Sequence, residues 1–438
     1  MVICRVQRSH FQLARCNGSR FQSLLSNEGG WKPLELSPLN GDSSTRVSAM
    51  LKWLVAISGL ILLVATGLLH WVVPPHIERS MNITRDHVRY EISPAAQALH
   101  NDMFIADLHA DTLLWKRNLL ERSAVGHVDL PRLQAGSVGL QVFAAVTKSP
   151  SGENYTANSD ESDNITWLAL AQLWPLRTWF SLYQRAAFQL GKLTDFAAAS
   201  DDRLRLIRNR ADLQQLVLDR RAGRKVTGGL FAIEGGHALE GDIENLDRLQ
   251  QAGLRVIGLT HFFDNELGGS LHGMSGAGLT EFGRRVVQRV DELELIIDLA
   301  HASPQVVRDV LAFGHRPALL SHGGIKGLCD MGRNLDDDLM LELAAKGGIL
   351  GIGYWDGAVC DPTPLGIVKA IRRAIELLGE NHVALGSDYD GTTEVLMDTS
   401  ELAILTSVML EQGFDEREIR KVMGENVKRF LLENLPGA

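Results

Sequence analysis

The amino-acid sequence predicts an α/β protein, a (β/α)8 barrel of the TIM type preceded by an N-terminal transmembrane helix. Three observations support this prediction. Eight short apolar runs alternate with helical patterns, polar motifs follow most of these runs, and one long segment near the N-terminus is apolar and uncharged. Alternating strands and helices make a parallel sheet, and eight such units favour a closed barrel over an open sheet.

The segment from Trp53 to Val73 contains no Asp, Glu, Lys or Arg and is about as long as a helix that crosses a membrane. Trp53 and Trp71 stand near its ends, where aromatic rings favour the membrane interface. Basic residues outnumber acidic ones before it, which places the N-terminus in the cytoplasm and the remainder on the periplasmic or extracellular side. A cleaved signal peptide is the alternative, but the segment is long for one and no small-residue cleavage site precedes Pro74. We therefore favour an uncleaved, single-pass anchor.

The anchor divides the chain into three predicted regions. Residues 1–49 lack hydrophobic periodicity and are predicted to be a disordered tail. Part of this tail fits a wrongly assigned translation start, because Met50 would make a natural first residue for a signal-anchored protein. Residues 50–76 form the signal anchor and its flank, and residues 77–438 form the barrel. Cys4 and Cys16 fall in the tail, and Cys329 and Cys360 fall in the exported part. An oxidising compartment would allow the latter two to form a disulfide, but sequence alone does not fix their distance.

The barrel strands are predicted from apolar runs, several of which are nearly continuous, as strands buried on both faces should be. The runs cover 103–108, 140–146, 229–233, 255–260, 295–300, 318–321, 349–354 and 383–387.

The connections carry helix signals. Ser303-Pro304 suits an N-cap followed by the first helical position, and Gly314 suits the end of that helix. Further helices are predicted from Thr280, over 364–379, near 400–412 and near 415–432.

The second connection is a long insertion, near residues 147–228. It begins as a polar stretch that predicts a rim loop. An aromatic-rich stretch follows, which we expect to pack an extra helix onto the barrel, with a dimer contact or a membrane-facing patch as alternatives. Its aromatic residues are Trp167, Trp174, Trp179, Phe180, Tyr183 and Phe188.

Charged and metal-binding residue types recur just after the predicted strands. In a parallel barrel the carboxyl ends of all strands open on one face, so these residues meet there. The motifs are DLHAD (107–111), AIEGG (232–236), LTHF (259–262), DLAH (298–301), LSHGG (320–324), RN (333–334) and GSDYDG (386–391). The sequence therefore predicts a metal-dependent hydrolase. A net charge of -9 and a pI near 5.9 argue against a nucleic-acid partner.

Five residues form the predicted ligand set for two zinc-like ions. Residues i and i+2 of an extended segment point the same way, so His109 and Asp111 can bind one ion. His301 and His322 follow strands five and six and can bind the other, with Glu234 shared between the ions. Any one of these residues alone is more often structural, but five at successive strand ends are poorly explained by chance.

The remaining site residues fit hydrolysis. Two bridged cations lower the pKa of a shared water, so that hydroxide exists at neutral pH. His261 is placed to donate to the tetrahedral oxygen or the substrate, and Asp388 to pass the water's proton to the leaving amine. Asp390 ranks below Asp388 because it could cap a turn. Arg333 could grip a carboxylate with two hydrogen bonds, although a surface salt bridge fits its local sequence equally well.

In this order, these residues resemble the membrane dipeptidase (renal dipeptidase) family of zinc metallopeptidases, over about residues 105–432. The resemblance implies a binuclear zinc site that cleaves the peptide bond of dipeptides, including those with a C-terminal D-residue, by a metal-activated hydroxide. It implies that His109, Asp111 and Glu234 hold one zinc, and that Glu234, His301 and His322 hold the other.

The resemblance also implies that His261 contacts substrate, Arg333 binds its terminal carboxylate and Asp388 transfers the proton, and that Cys329 and Cys360 form a disulfide. The N-terminal anchor departs from animal members of the family, which use a C-terminal lipid anchor.

Two alternatives remain. Another amidohydrolase-type barrel, such as a deacylase or lactonase, would often carry a modified lysine at the end of strand four, where this chain has GLTHF. A catalytically inactive barrel could serve as a surface receptor, but such proteins commonly lose a metal ligand. The expected partners are a dipeptide, the membrane and a second copy in a homodimer.

Overall fold

The computed structural model describes residues 43–437. Eight parallel strands, here named β1 to β8, close into a barrel, which confirms the predicted (β/α)8 fold. The ring closes where Leu385 of the last strand pairs with Asp107 of the first. The strands span Ile105–Ala110, Val138–Val146, Thr227–Glu234, Leu254–Gly258, Ile296–Asp298, Leu319–Gly323, Ile349–Ile352 and Val383–Leu385.

Alternate residues of the strands belong to different apolar clusters, because successive side chains of a strand point to opposite faces. On β3, Leu230 and Ala232 join a cluster that includes Phe430 of the last helix, whereas Phe231 and Ile233 join the larger cluster beneath the other helices. Glu234 continues the Leu230–Ala232 face. The strand period therefore directs this carboxylate to the carboxyl end of the barrel.

Helices follow every barrel strand. The predicted helix from Thr280 has the Thr280 hydroxyl accepting from Gly283 N, and it buries Val286, Val287 and Val290. The helices within the barrel domain span Pro94–Asp102, Leu130–Ala135, Asn164–Ala171, Leu182–Ala198, Arg210–Arg221, Ile243–Ala252, Glu281–Glu292, Pro304–Phe313, Asp337–Ala345, Asp356–Val359, Pro364–Leu378, Ala403–Glu411, Glu416–Arg420 and Asn426–Asn434.

The predicted closing helix near 415–432 is not continuous. A π-helical turn, Lys421–Glu425, separates its two halves, and Gly424 departs from helical geometry there. A Cβ at Gly424 would lie 1.9 Å from the Phe104 carbonyl oxygen, so the glycine lets the helix approach the start of β1. Close packing against the barrel explains the break.

The N-terminal helical region runs through Ser43–Gly67, a π-helical turn at Leu68–Val72, and Val73–Met81. Residues 46–81 form a helix that is long and apolar enough to cross a membrane, with a mean hydropathy of 2.2 over an 18-residue window, by length and composition alone. Of the predicted tail, residues 1–42, with Cys4 and Cys16, lie outside the described residues. The helix begins at Ser43, before the predicted anchor.

The insertion adds three helices, and its strand Leu204–Leu206 pairs with the start of β3. Its aromatic residues divide into two groups. Trp174 packs against Phe188 with ring centroids 5.0 Å apart, as expected of a helix held on the barrel. Trp167 and Phe180 are 72% and 83% exposed, so they do not contribute to that packing.

Candidate active site

The predicted site residues meet at the carboxyl end of the barrel, around a cavity of about 570 Å³. Every predicted barrel strand that was assigned a site residue delivers it to this end. The cavity is lined by Asp111, Glu234, His261, His301, Arg333 and Asp388, among others. The other two predicted ligands, His109 and His322, are buried directly beside them.

Glu234 lies at the centre of the site. Its Oε1 atom is 3.5 Å from His109 Nε2, 3.1 Å from His301 Nε2 and 3.4 Å from His322 Nε2. Its Oε2 atom lies 3.6 Å from Nε2 of His261. A single carboxylate therefore faces four imidazoles from four different strands.

The spacing of these atoms fits a bound divalent cation. Two ligand atoms about 2.1 Å from a tetrahedral cation lie roughly 3.4 Å apart. His109 Nε2 lies 3.6 Å from Asp111 Oδ1 and 3.5 Å from Glu234 Oε1, and these three residues can place their ligand atoms together. Both His109 Nε2 and Asp111 Oδ1 are buried without a hydrogen bond among residues 43–437. The donor set and its spacing fit a metal centre.

Ser321 and Asp298 orient two of the histidines from behind. The Ser321 hydroxyl donates to Asp298 Oδ2, and its oxygen lies 2.8 Å from Nδ1 of His322 and 3.3 Å from Nδ1 of His109. Because its own proton is used in the hydrogen bond to Asp298, the Ser321 oxygen can accept hydrogen bonds from both Nδ1–H groups. In that tautomer the Nε2 lone pair of His322, and of His109 when its ring is neutral, points toward Glu234, as metal-ligating histidines require.

His301 sits in a strained backbone conformation, with φ of 62°. Such a conformation persists only where its surroundings enforce it. The His301 carbonyl oxygen accepts hydrogen bonds from Leu271 N at 2.7 Å and Thr260 Oγ1 at 2.9 Å. The backbone of Asp388 also adopts the left-handed conformation, with φ of 58°. Its carbonyl oxygen accepts a hydrogen bond from Thr393 Oγ1 at 2.8 Å. Backbone strain thus clusters at the site.

Burial controls the charge of the ligands. It lowers the pKa of His301 and of His322 well below the usual histidine value. Both rings are therefore neutral, which is the form that binds a cation. Burial also opposes charge on His109, but the carboxylates of Glu234 and Asp111 outweigh it and raise the pKa of His109 well above its usual range. Burial raises the pKa of Asp111 to about 6.

Arg333 is buried, which excludes the surface salt bridge considered above. It is 2% exposed, lines the cavity, and donates from Nη2 to the His322 carbonyl oxygen at 2.7 Å. No carboxylate lies within 4.0 Å of its guanidinium among the described residues. An unpaired buried guanidinium at a cavity wall is suited to an anionic group of a ligand.

Asp388 and His261 each lie close to two of the predicted metal ligands. Asp388 can bring a carboxylate oxygen near ligand atoms of His109 and His322, and His261 groups in the same way with Glu234 and His301. Burial raises the pKa of Asp388 well above its usual value, although the positive charge of His109 opposes this.

Asp390, ranked below Asp388, has a structural role. It is fully buried, pairs with Arg117, and accepts from Thr112 Oγ1 at 2.7 Å. His237 packs against Phe263, with tilted rings whose centroids are 4.9 Å apart. Cys329 and Cys360 are joined as a disulfide, with Cα atoms 5.5 Å apart.

Two cavity residues had no recognisable signal in the sequence. Tyr155 lies in the polar part of the insertion, and its hydroxyl accepts from Trp355 Nε1 at 2.9 Å. Its ring packs near Phe262, with centroids 6.0 Å apart. Both Tyr155 and Trp355 line the cavity beside Arg333. A tyrosine in an aperiodic loop is not distinguishable from a surface residue before the loop is folded.

Comparison with known proteins gives a consistent result. Residues 94–434 match the family described as membrane dipeptidase, peptidase family M19. An uncharacterized protein in the pqqA 5' region of Klebsiella pneumoniae is 31% identical over 258 residues, covering 56% of this chain and 93% of that protein. Dipeptidase verJ of Clonostachys rogersoniana is 27% identical over 314 residues, covering 70% of this chain and 76% of its own.

A crystal structure of a metallopeptidase from Rhodobacter sphaeroides, liganded with a phosphinate mimic of the dipeptide L-Ala-D-Ala, has the same fold. The TM-score is 0.61 at 23% identity, and the match covers 76% of this chain and 100% of that one. The clustered ligands therefore agree with the metal dependence of this family. The chain belongs to the membrane dipeptidase family, peptidase family M19, and is a metallopeptidase of the dipeptidase type.

Proposed function

We propose that the protein is a binuclear zinc dipeptidase that hydrolyses the single peptide bond of dipeptides, including those with a C-terminal D-residue. One observation carries the proposal. Glu234 Oε1 lies within hydrogen-bonding to ion-pairing distance of three imidazole nitrogens, at 3.5, 3.1 and 3.4 Å. A carboxylate surrounded by imidazole nitrogen atoms is suited to bridge two cations.

Five residues would hold the ions, and these are His109, Asp111, Glu234, His301 and His322. Two zinc ions bound there would lower the pKa of a water molecule and polarise the carbonyl of the scissile bond. The choice of zinc follows from the mixed imidazole and carboxylate donor set, which suits this metal.

Arg333 would fix the substrate by its terminal carboxylate. The guanidinium is buried, lies at the cavity wall and has its Nη2 atom held by the His322 carbonyl oxygen. A buried cation that already has one fixed hydrogen bond presents its remaining N–H groups in a defined direction. This contact selects a free carboxylate one residue beyond the scissile bond, which limits the substrate to a dipeptide.

Asp388 and His261 would handle the proton and the developing charge. The raised pKa of Asp388, caused by burial, suits a carboxyl group that must hold a proton and then release it to the leaving amine. His261, on the Oε2 side of Glu234, can donate a hydrogen bond to the oxygen of the former carbonyl.

Acceptance of a D-residue is supported by the related metallopeptidase from Rhodobacter sphaeroides, whose ligand mimics L-Ala-D-Ala. Among alternatives, a deacylase or lactonase is disfavoured because β4 is followed by Leu259, Thr260 and His261, with no lysine. A catalytically inactive receptor is disfavoured because the whole predicted ligand set is present at one end of the barrel.

The test is hydrolysis of L-Ala-D-Ala and Gly-D-Phe by the full-length protein, with and without a chelator, alongside metal analysis. We expect two zinc ions per chain and activity that is lost on chelation and restored by zinc. The dipeptide amides serve as controls, because they lack the carboxylate that Arg333 would bind. Metal-loaded protein that cleaves neither dipeptide would refute the proposal.

We propose further that the N-terminal helix anchors the chain in a single pass, with the barrel on the periplasmic or extracellular side. The apolar helix over residues 46–81 and the disulfide between Cys329 and Cys360 support this, since disulfides persist in oxidising compartments. Protease protection of vesicles tests the topology. A homodimer stays a prediction, which the mass of the detergent-solubilised protein tests.

A further inference from the structure

The segment that follows the apolar helix forms part of the wall of the catalytic cavity. Ser80, Met81 and Ile83 line the cavity together with residues of the barrel. The family match begins at residue 94, so this segment lies outside the matched region.

Buried polar contacts hold the segment in place. Glu78 is 4% exposed and pairs with Arg117, which also pairs with Asp390, two residues beyond Asp388. Asn82, also 4% exposed, accepts a hydrogen bond at Oδ1 from Thr392 N at 2.9 Å. Breaking such a buried pair is costly, because it leaves an uncompensated charge. The wall is therefore fixed.

Backbone pairing extends this attachment. Ile83 and Thr84 pair in parallel with Glu394 and Val395, with Ile83 N donating to the Thr393 carbonyl oxygen at 3.2 Å. Farther up the helix, Ile77 packs against an apolar cluster that includes Leu114, Val146 and Ile165. The same three residues line the cavity, as Met81 and Ile83 do, and these five residues form what is here called its apolar side, beside the polar Ser149 and Glu153.

This apolar side lies away from Arg333. Arg333 follows β6, whereas Leu114 follows β1, Val146 ends β2 and Ile83 pairs beyond β8. The ring order places β8, β1 and β2 next to each other, with β7 separating β6 from β8. With the terminal carboxylate at Arg333 and the scissile bond above Glu234, the N-terminal residue of a dipeptide extends toward the apolar side.

We propose that Met81 and Ile83 are specificity-determining residues that favour an apolar N-terminal side chain in the dipeptide. This inference rests on the proposed function and adds the side-chain class of the substrate. Met81 and Ile83 line the cavity and are 43% and 37% exposed, so they are not fully covered by the protein. Contacts of this kind discriminate by about tenfold or more for each group removed from an apolar pocket.

The experiment measures kcat/KM of the full-length protein, in detergent, for L-Leu-D-Ala, L-Phe-D-Ala and Gly-D-Ala. Met81→Ala and Ile83→Ala should each lower the ratio of L-Leu-D-Ala to Gly-D-Ala by about tenfold. Met81→Trp should fill the space at the apolar side of the cavity, and it should lower the kcat/KM for L-Phe-D-Ala relative to that for Gly-D-Ala. Val88→Ala is the matched control, because Val88 is 90% exposed and does not line the cavity.

Ratios between substrates on one preparation are independent of the fraction of active protein, so partial unfolding of a variant does not hide the result. Wild-type activity with unchanged ratios in all three variants would overturn this inference while leaving the dipeptidase proposal intact. A metal-loaded wild type that cleaves none of the dipeptides would overturn both.

Discussion

Gly391 lies where any side chain would displace the proposed proton-transfer group. A Cβ at this position would be 2.2 Å from Asp388 Oδ1 and 2.7 Å from Asp111 Oδ2. Ordinary contact begins at 3.4 Å, so the Asp388 oxygen must move by roughly 1.2 Å. Gly391 is not among the glycines with positive φ, so alanine causes no backbone strain there. The substitution therefore acts on side-chain position.

We expect Gly391→Ala to lower kcat/KM for L-Ala-D-Ala by about 100-fold, since a shift of about 1 Å in a catalytic group costs roughly this much. That loss corresponds to about 2.7 kcal/mol of transition-state stabilisation. The thermal midpoint should change little, because the carboxylate is the mobile end of its side chain.

The matched control is Gly191→Ala. Gly191 lies inside the helix Leu182–Ala198 with no atom within 4 Å of an added Cβ. It should keep full activity and gain about 0.5 to 1 kcal/mol of stability from helix propensity. Steady-state kinetics, zinc content and thermal unfolding are measured on both variants. Full activity of Gly391→Ala, or rescue of its activity by excess zinc, would refute the reasoning, the latter by assigning the loss to Asp111.

Three further predictions follow from the same geometry. Glu234→Gln should lower kcat by more than about 1000-fold and reduce zinc from two ions per chain, measured by kinetics and elemental analysis; normal activity would contradict a bridging role. Arg333→Ala should raise KM for dipeptides by about 30-fold or more, with a smaller effect on kcat, and an unchanged KM would remove its assigned role. Burial lowers the pKa of His100 to about 4, so the unfolded chain binds the extra proton first as the pH falls. The free energy of unfolding should then drop by about 3 kcal/mol between pH 6.5 and 4. Urea unfolding measured at several pH values tests this, and His100→Gln should lose less stability than the wild type over that range. An equal loss in both proteins would contradict the prediction.

The barrel was predictable because its strands are short apolar runs at regular spacing. Each predicted run overlaps the observed strand, although ends differ, as for the first run, predicted at 103–108 and observed at Ile105–Ala110. The ligand residues were predictable for a related reason. Strand topology alone brings His109, Glu234 and His322 to one face, without knowledge of any loop.

The remaining features depend on contacts between distant segments. Tyr155 reaches the cavity through a polar loop without periodicity. Ser321 orients two histidines only because Asp298 accepts the hydrogen bond that its hydroxyl donates. The segment after the apolar helix carries no sign in its sequence that Glu78 will pair with Arg117. Sequence patterns report the period of an element, and they do not report which side chains an insertion or a terminal segment will meet.

The helical path from the apolar segment into the cavity wall has a consequence for how substrate is captured. Ser80 comes only seven positions after Val73, so the helix rises about 10 Å between them. Many anchored enzymes hang from a pliable stalk and sweep a wide volume. If the apolar segment is held in a bilayer as proposed, the continuous helix Val73–Met81 leaves no pliable stalk between Val73 and the cavity wall. A dipeptide would then be captured from the solution next to the lipid.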